Sequence, residues 1–590
     1  MRAIDVNSLF ARAQQSFGAG HVDRARAELL DVQRLAGAHP AVLHLLALVE
    51  KRRRDLPAAR VAFERALAMA PRDPQISSNF ANLLAELGEQ ESALACYGRA
   101  LELAPHHHEA RYNRALLLQK LGRLDDALAD LDAVIAAQPG EAKAHSARGS
   151  VLRALRRLDE AARAYDAALA LDPKRVTALH GRARVAMERG DPDGSDHYRR
   201  ALAVRPDDPE LSLGLAEALE AEGRPGAADV LGGVVARHPT WTEGQESLAR
   251  MRWEAGQGES FTRDFEQAVK LHPRNRALWL AYASALAAAG FSGRAADVAA
   301  EARTASGEDP SLRLLEAMHA SEAGELARAD RLFDELPRDM RGRSILEIRH
   351  RVRTGDYPRA LALADQALAE EPWDIGAWAM TGLLWRLTGD PRAEWLLLQP
   401  GLVSTRALEL TPEQIDMIAH RLRGLHTTRA HPIGQSLRGG TQTRGRLFER
   451  DEPEVVLLRD AIRAAVDRHW NDLPPTDPRH PLLRHRDRQP RFDGSWSVRL
   501  TGGGFHISHI HPRGLLSSAC YLVVPKGATE QEGWLEVGGR PDALPVPIEP
   551  IRRIEPTPGR LALFPSYMFH GTRPFSAGER LTAAFDISVS

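Results

Sequence analysis

Four histidines near the C-terminus have a spacing suited to metal binding. His506, His509 and His511 lie in one short segment, and His570 comes after a further strand-like stretch. In an extended strand, residues i and i+2 point to the same side, so His509 and His511 are expected to share one face, with His506 on the other as a support for the ligands. Imidazole binds Fe, Zn, Cu and Ni, so the ligand type alone does not choose the metal. We predict that His509, His511 and His570 hold a metal ion.

An arginine and a threonine follow the last histidine in a pattern that could bind an anion. Arg580 lies ten residues beyond His570, and Thr582 shares its predicted strand face. Arginine offers a planar fork of donors to a carboxylate, and a neighbouring hydroxyl adds a hydrogen bond. A metal-binding histidine followed by an inward Arg-x-Thr therefore predicts an oxo-acid cosubstrate with one end on the metal.

Short strands are predicted to position these side chains. Alternating segments separated by glycine and proline occur at 495–500, 518–525, 560–564 and 581–587. This pattern is typical of a β-sandwich or a double-stranded barrel. Two helices, predicted at about 411–425 and 453–470, are expected to pack outside it.

The first two thirds of the chain repeat with a period of 34 residues. Prolines keep this step at Pro71, Pro105, Pro139 and Pro173. Small residues keep it at Ala59, Ala93, Ala127 and Ala161. A bulky residue follows four positions later each time, at Phe63, Tyr97, Leu131 and Tyr165. Positions i and i+4 lie on one face of a helix, so each unit is predicted to contain a closely packed helix pair.

Turn and end signals complete each predicted unit. Gly88 and Gly122 supply the turn between the two helices, and the proline ends the second helix. The pattern looks like the tetratricopeptide repeat, in which small, aromatic and proline positions have this spacing. About ten or eleven helix pairs are predicted between residues 7 and 395, forming a superhelix whose concave face binds an extended peptide or a partner protein.

Composition limits the class of protein. A chain of 590 residues is too long for one core, and its formal net charge of −1 gives no reason to expect a nucleic-acid partner. The two cysteines, Cys96 and Cys520, exclude a disulfide framework and fit a reducing compartment. The first residues lack a signal peptide, and no apolar run is long enough to span a bilayer, so we expect a cytoplasmic protein without a membrane partner.

Several stretches of the C-terminal third form a pattern known from one enzyme superfamily. They are Gln435–Thr443, Ser495–Leu500, Gly504–His506 with His509–Pro512, and Leu563–Ser566 with His570–Thr572. This region, about residues 395–590, resembles the iron(II)- and 2-oxoglutarate-dependent oxygenases, in particular a bacterial group in which the oxygenase is joined to tetratricopeptide repeats. The resemblance implies a double-stranded β-helix that uses Fe(II) as its metal and 2-oxoglutarate as its cosubstrate.

The resemblance also implies roles for individual residues. His509 matches the first metal histidine of the superfamily, and His570 matches the distal one. Arg580 matches the basic residue that grips the far carboxylate of 2-oxoglutarate, with Thr582 as its helper. Tyr521, on the strand after the histidine pair, is also expected to reach this cosubstrate.

His511 stands where most of the superfamily has Asp or Glu. Two histidines and one carboxylate are the usual set, which leaves positions open for cosubstrate and oxygen. An imidazole in place of the carboxylate removes one negative charge from the ligand set. Three arrangements are therefore open: a site of all three histidines, a site of His509 and His570 with water in the third place, and a Zn²⁺-binding or inactive relic.

We therefore predict an α+β multidomain protein. The expected order is an all-α tetratricopeptide superhelix at 7–395, a helical and loop region at 396–480 that packs on the barrel, and a double-stranded β-helix (jelly roll) at 481–590. The predicted function is a 2-oxoglutarate- and Fe(II)-dependent hydroxylase whose repeats recruit a protein or peptide. The alternative is a repeat-based adaptor with a non-catalytic or zinc-binding barrel. A three-histidine zinc hydrolase has less support, because Arg580 and Thr582 would lack a role.

Overall fold

The structure is a computed structural model that describes residues 6–426, 434–443, 446–525 and 531–589. The chain divides into two compact units. The N-terminal unit comprises Met1–Ala186 with Asp196–Pro206, and the C-terminal unit comprises Met187–Ser195 with Asp207–Ser590. Within the described ranges, no helix is long and apolar enough to cross a lipid bilayer.

The N-terminal unit is built from α-helices, and the first ten of them pack in sequence, each against the next. They are α1 (Val6–Gly18), α2 (Val22–Ala36), α3 (Pro40–Arg52), α4 (Leu56–Met69), α5 (Pro74–Glu86), α6 (Gln90–Leu103), α7 (His108–Lys120), α8 (Leu124–Ala137), α9 (Ala142–Ala154), α10 (Leu158–Leu171), α11 (Val176–Arg189) and α12 (Gly194–Val204). Helices α4, α6, α8 and α10 each end two residues before one of the periodic prolines, so the sequence period is also the structural period.

The small and bulky periodic positions form the core between these helices. The four alanines are fully buried, at Ala59, Ala93, Ala127 and Ala161. The bulky residues are at most 3% exposed, at Phe63, Tyr97, Leu131 and Tyr165. An alanine at the contact lets two helix backbones approach closely, and the larger side chain fills the space to the neighbouring pair.

The turn inside each helix pair needs a left-handed backbone. Gly88 and Gly122 have φ values of 82° and 76°, as expected for glycine in this conformation. Arg54 and Arg156 stand at the equivalent positions, with φ values of 67° and 61°. The turn geometry is therefore set by the repeat itself, since it persists where an arginine must adopt it.

The C-terminal unit begins with further helices of the same kind and ends in strands. Its helices are α13 (Pro209–Ala221), α14 (Ala227–Arg237), α15 (Thr242–Glu254), α16 (Arg263–Leu271), α17 (Arg276–Ala288), α18 (Ser292–Ser306), α19 (Pro310–Glu322), α20 (Leu326–Glu335), α21 (Arg343–Thr354), α22 (Tyr357–Glu370), α23 (Ile375–Thr388), α24 (Pro412–Gly424) and α25 (Pro453–Asn471). Short turns of other helix types occur at Gly258–Thr262, Glu394–Leu398, Leu447–Glu449 and Leu483–His485.

The strands form two antiparallel sheets. They are β1 (Ser404–Ala407), β2 (Leu437–Gln442), β3 (Pro490–His506), β4 (Leu516–Val523), β5 (Leu535–Val537), β6 (Arg552–Ile554), β7 (Arg560–Pro565), β8 (His570–Thr572) and β9 (Glu579–Val589). The larger sheet has the order β1-β7-β4-β9-β3-β2, and the smaller has the order β6-β5-β8. Helices α24 and α25 pack against strands of the larger sheet. The predicted class, helical repeats followed by a jelly-roll-like barrel with flanking helices, is confirmed; the domain limits at 395 and 480 stay predictions.

The last repeats and the barrel share one apolar core within the C-terminal unit. A continuous cluster of buried side chains runs from Ile348 in α21 to Ile587 in β9. Polar contacts add to it: Arg353 Nε donates to Ala543 O at 3.2 Å, and Tyr567 Oη donates to Leu396 O at 2.9 Å. The preceding helices therefore shield part of the barrel's apolar surface from solvent.

A pair of glycine variants tests the packing of the N-terminal unit. A Cβ on Gly181 would overlap the ring of Tyr165, whereas a Cβ on Gly98, inside α6, would meet no atom within 4 Å. Gly181→Ala should destabilise the protein by about 1–3 kcal/mol through overpacking. Gly98→Ala should stabilise it by up to about 1 kcal/mol, because alanine is the better helix former. Urea denaturation of the full chain measures both, and shifts of the same sign would contradict this account.

Candidate metal centre

Two of the four histidines are joined by a backbone bridge. His509 N–H donates to His570 O at 3.0 Å, and His570 N–H donates to His509 O at 2.9 Å. His509 lies after the end of β3, and the bridge is isolated rather than part of a regular strand pair. The sequence argument placed the histidine pair on a strand; the chain leaves the strand at His506, and the bridge to β8 positions His509 instead.

Gly571 permits this close approach. A Cβ at this position would lie 2.9 Å from His506 O and 3.1 Å from Ser508 Cα. Such contacts are shorter than a side chain tolerates, so any other residue would push β8 away from the segment that carries His509. The glycine after the distal histidine is therefore a steric requirement of the site.

The side chains of His509, His511 and His570 converge. One ring nitrogen from each lies within 4.8 Å of the others, and no other such group of potential ligands occurs in the described part of the chain. His509 Nε2 and His511 Nε2 are 3.0 Å apart. Two imidazoles that bind one ion at about 2.1 Å, at right angles to each other, have their nitrogens about 3.0 Å apart. The separation therefore fits two ligands of one metal ion.

Hydrogen bonds fix the tautomers of two of these rings. His509 Nδ1 lies 2.8 Å from Ile507 O, and His570 Nδ1 lies 3.0 Å from Met568 O. A carbonyl oxygen can only accept, so each Nδ1 must carry the proton and each Nε2 must present its lone pair. Lone pairs that face one another across a few ångströms repel, and a cation between them removes the repulsion. The donor set thus fits a bound metal ion.

The third ring is held by a carboxylate that the sequence argument missed. His511 Nδ1 donates to Asp586 Oδ1 at 2.5 Å, and Ser517 Oγ donates to the same oxygen at 3.1 Å. A carboxylate behind a ligating histidine fixes the ring and raises its basicity. Asp586 therefore places a negative charge beside the ring of His511. The sequence does contain a signal for Asp586: it is an even number of residues from Arg580 and Thr582, so all three lie on the same face of β9.

His506 lies beside this group and is linked to it by a serine. Ser436 Oγ is 3.0 Å from His506 Nδ1 and 3.2 Å from His509 Nε2. The rings of His506 and His509 are stacked with centroids 5.9 Å apart. His506 is not among the three converging ligands, and Ser436, a further residue that the sequence argument missed, is its connection to them.

Burial keeps these rings neutral. It lowers the pKa of His509 to about 3, with the neighbouring His511 adding to the effect. Burial also holds the pKa values of His506 and His570 well below the ordinary range. Neutral imidazole is the form that binds a metal ion, so the site is ready for a cation at neutral pH.

Arg580 is a buried cation with an incomplete set of partners. The residue is 3% exposed, and its Nη1 donates to Gly533 O at 3.0 Å. Its Nε has no hydrogen-bond partner in the described part of the chain, and neither does the buried Tyr521 Oη. The Arg580 guanidinium carbon lies 5.1 Å from the centre of the Tyr521 ring, and burial lowers the pKa of Arg580. Buried polar atoms are normally satisfied, so this pair fits an anionic ligand.

One cavity of about 620 Å³ connects the three histidines with Arg580. Alternate residues of β9 line it, namely Arg580, Thr582, Ala584 and Asp586. This is the parity expected of a strand with one face inward. Tyr521, on β4, is fully buried next to Arg580 and is not one of the lining residues. The residues present fit both a metal ion and a small dicarboxylate.

The fold and this site define a helical-repeat protein with a jelly-roll-like domain that carries a histidine cluster. Residues 494–586 match the family model described as "Putative 2OG-Fe(II) oxygenase". Three models described as tetratricopeptide repeat match residues 81–153, 142–175 and 180–231. The chain thus carries tetratricopeptide repeats followed by a domain of that oxygenase family.

Solved structures of repeat proteins are similar to part of the chain. A tetratricopeptide repeat protein from Parabacteroides merdae is 22% identical, with a TM-score of 0.34 over 41% of this chain and 97% of its own. MamA from Desulfovibrio magneticus is 22% identical, with a TM-score of 0.27 over 28% of this chain and 95% of its own. YrrB, described as a repeat protein with an unusual peptide-binding site, is 24% identical, with a TM-score of 0.27 over 30% of this chain and 91% of its own. No curated protein matches the chain.

Asp586→Asn tests the carboxylate behind His511. The amide cannot supply the negative charge, so the affinity for Fe(II) or Zn(II) should fall about 10–100-fold. Anaerobic calorimetric titration of the full chain measures this affinity. Asp542→Asn is the matched control, because Asp542 accepts from the Ser508 backbone N–H at 2.9 Å in the same segment and contacts none of the ligands. Equal affinities for Asp586→Asn and the parent protein would remove Asp586 from the metal centre.

Proposed function

We propose that this protein is a 2-oxoglutarate- and Fe(II)-dependent oxygenase that hydroxylates a protein or peptide recruited by its repeats. One observation carries the proposal: three converging imidazoles and a buried arginine with an unsatisfied Nε line the same cavity. A metal ion and a small dicarboxylate satisfy both features at once. The family match over residues 494–586 supports the same chemistry.

In this proposal His509, His511 and His570 hold the metal ion. Bound Fe(II) and 2-oxoglutarate supply a reaction in which O₂ and the cosubstrate give succinate, CO₂ and one hydroxyl group on a C–H bond of the substrate. The protein's part is to hold the ligand rings by hydrogen bonds from Nδ1, so that each Nε2 faces the metal. Asp586 supplies the negative charge that a metal-bound carboxylate gives elsewhere in the superfamily.

Arg580 is proposed to bind the far carboxylate of 2-oxoglutarate, and Thr582 to add a hydrogen bond. The guanidinium is desolvated and has no acidic partner among the described residues, so a carboxylate bound there would be held strongly. Tyr521 does not line the cavity, so it is proposed to act from behind Arg580, whose guanidinium carbon lies 5.1 Å from the centre of its ring. His506 is proposed to steady His509 through Ser436 rather than to bind the metal.

An adaptor function is the second candidate, and one observation favours it. The three converging ligands are all imidazoles, and none is a carboxylate. Such a set suits Zn²⁺ as well as Fe(II). In that case the barrel would be a zinc-binding or non-catalytic module, and the repeats, over about residues 7–395, would carry the function by binding a partner protein. Metal content and cosubstrate turnover distinguish the two candidates.

His570→Ala tests the oxygenase proposal directly. The full chain, loaded anaerobically with Fe(II), should convert 2-oxoglutarate to succinate after O₂ is admitted, even without substrate. His570→Ala should abolish this turnover, because the metal loses a ligand. His420→Ala is the control, since His420 lies exposed on α24 and should leave the rate unchanged. Stoichiometric zinc with no Fe(II)-dependent binding of 2-oxoglutarate to the parent protein would favour the adaptor.

Arg580→Gln tests the cosubstrate end separately. Loss of a charge-assisted hydrogen bond costs roughly 1.5–3 kcal/mol, so the affinity for 2-oxoglutarate should fall about 10–150-fold while the metal content is kept. Arg552→Gln, on the exposed side of β6, is the matched control and should bind 2-oxoglutarate normally. Loss of metal from Arg580→Gln would instead show that Arg580 is a structural residue.

A further inference from the structure

The cavity has more space and more positive charge than the metal and its cosubstrate require. Its volume of about 620 Å³ lies in the range of about 300–1,000 Å³ that is typical of pockets for larger organic ligands. A five-carbon dicarboxylate would fill only part of it. Besides Arg580, two arginines line the remainder, Arg438 and Arg513. Neither has a role in the reaction proposed above.

Arg438 is directed into the cavity from a bulge in β2. The pairing of β2 with β3 shifts register between Arg438 and Gly440, and Gly439 has a φ of 68°. A bulge of this kind turns a side chain out of the regular pleat. Arg438 Nη1 donates to two main-chain carbonyls, Gln435 O at 2.7 Å and Leu437 O at 2.8 Å. These neutral contacts fix the position of the guanidinium.

No carboxylate of the described residues neutralises Arg438. The structure shows it no acidic partner, and burial lowers its pKa. Among the residues that line the cavity, Asp586 is the single acid, and His511 already donates to it. A half-buried cation without a counter-charge costs free energy unless an anion joins it. The unbalanced charge therefore favours an anionic group on the second ligand.

The three arginines are graded in exposure. Arg580 is buried in the interior, Arg438 is half-buried, and Arg513 is exposed at the rim. Arg513 follows the ligand segment directly, two residues after His511. An anion that enters would meet a solvated cation first and a desolvated one second. This order suits capture followed by tight binding, since a charge pair is stronger where water is excluded.

One wall of the cavity comes from the repeats within the C-terminal unit. Ala287, Ala288 and Gly290, at the end of α17 and in the turn after it, line the cavity. Gly434 N–H donates to Ala288 O at 3.0 Å, which joins this turn to the segment that leads to Arg438. Small side chains at the wall leave room for a polypeptide. A chain held by the repeats would therefore pass these residues on its way to the metal.

We propose that the cavity selects a protein substrate by an acidic side chain, whose carboxylate is bound by Arg438 after capture by Arg513. This rests on the proposed function, because it assigns a substrate class to the same site. Gln435 and Gln442, which also line the cavity, offer amides to the backbone of such a peptide. The recognised chemistry is a carboxylate, and its source is an Asp or Glu within a chain rather than a free acid.

Binding of two capped peptide mixtures tests the proposal. Each is a fluorescein-labelled heptamer with an acetylated N-terminus and an amidated C-terminus, with neutral residues around a central Glu in one mixture and a central Gln in the other. Fluorescence anisotropy with the full chain, anaerobic and loaded with Fe(II) and 2-oxoglutarate, should show about tenfold tighter binding of the Glu mixture, as for one charge-assisted hydrogen bond. Arg438→Gln should reduce this ratio to about one.

Two further variants keep the result interpretable. Arg513→Gln changes an exposed residue and should lower the affinity for the Glu mixture by about twofold to threefold, as expected of a solvated charge. Arg552→Gln should leave the Glu-to-Gln ratio of the parent protein unchanged. Free N-acetylglutamate amide, added as competitor, should displace the Glu mixture poorly, because it lacks the flanking chain; full displacement at equal concentration would mean that the site takes small acids.

Other outcomes overturn the proposal or the oxygenase function on which it rests. Equal affinity for the two mixtures, or no measurable binding of either, would exclude selection by an acidic side chain. An unchanged ratio in Arg438→Gln would exclude that residue. A loss of 2-oxoglutarate affinity in Arg438→Gln as large as that in Arg580→Gln would place Arg438 in the cosubstrate site. Peptide selection that persists without Fe(II) and 2-oxoglutarate, together with absent turnover, would keep the acidic ligand and remove the oxygenase function.

Discussion

The C-terminal unit is organised around a set of lone pairs that point at one another. His509 and His570 each donate a hydrogen bond from Nδ1–H to a carbonyl oxygen, so their Nε2 atoms face the centre with no proton of their own. Such an arrangement is unfavourable in an empty site and favourable around a cation. The backbone bridge between His509 and His570, which Gly571 permits, holds the rings together despite their repulsion. The site is preorganised for a metal ion in this sense.

The charge of the site is distributed differently from the usual ligand set. A carboxylate that binds a metal directly places its charge on the ion, whereas Asp586 acts through the ring of His511. The ring becomes a stronger donor without occupying more of the coordination sphere. The ring centroid of Trp496 lies 5.7 Å from that of His511, so the two side chains are neighbours. One acidic residue on β9 would thus influence a bound metal ion through the ring of His511.

Periodic and local features were accessible from the sequence, and features that depend on tertiary contacts were not. The small and bulky residues four positions apart, such as Ala59 and Phe63, lie on one face of a helix. Their recurrence every 34 residues therefore predicts packed helix pairs. The parity of Arg580 and Thr582 predicts a shared face for the same reason, and two further steps along that strand reach Asp586. Ser436 carries no such signal, because its place beside His506 depends on how β2 pairs with β3.

The contact of the repeats with the cavity wall was equally hidden. The position of Ala288 beside Gly434 depends on how α17 lies within the C-terminal unit, and no spacing in the sequence records it. The alternation of side chains along a strand predicted the histidine cluster, but it explains the cluster only in part. His509 and His511 do approach one another, but an isolated bridge to His570, rather than a regular strand, places them. Residue types therefore indicated which groups could bind a metal ion, but not the backbone arrangement that brings them together.

The hydrogen bond from Tyr567 to Leu396 O has a thermodynamic consequence. Tyr567 lies in the loop between β7 and β8, three residues before His570, and Leu396 belongs to the segment after α23. Because one apolar core also joins these parts, a ligand bound at the histidines adds its binding free energy to the stability of the helices. At a ligand concentration 100 times its dissociation constant this amounts to about 2.7 kcal/mol. If the site binds a metal ion and a cosubstrate as proposed, their supply would also set how resistant the helices of the C-terminal unit are to unfolding and proteolysis.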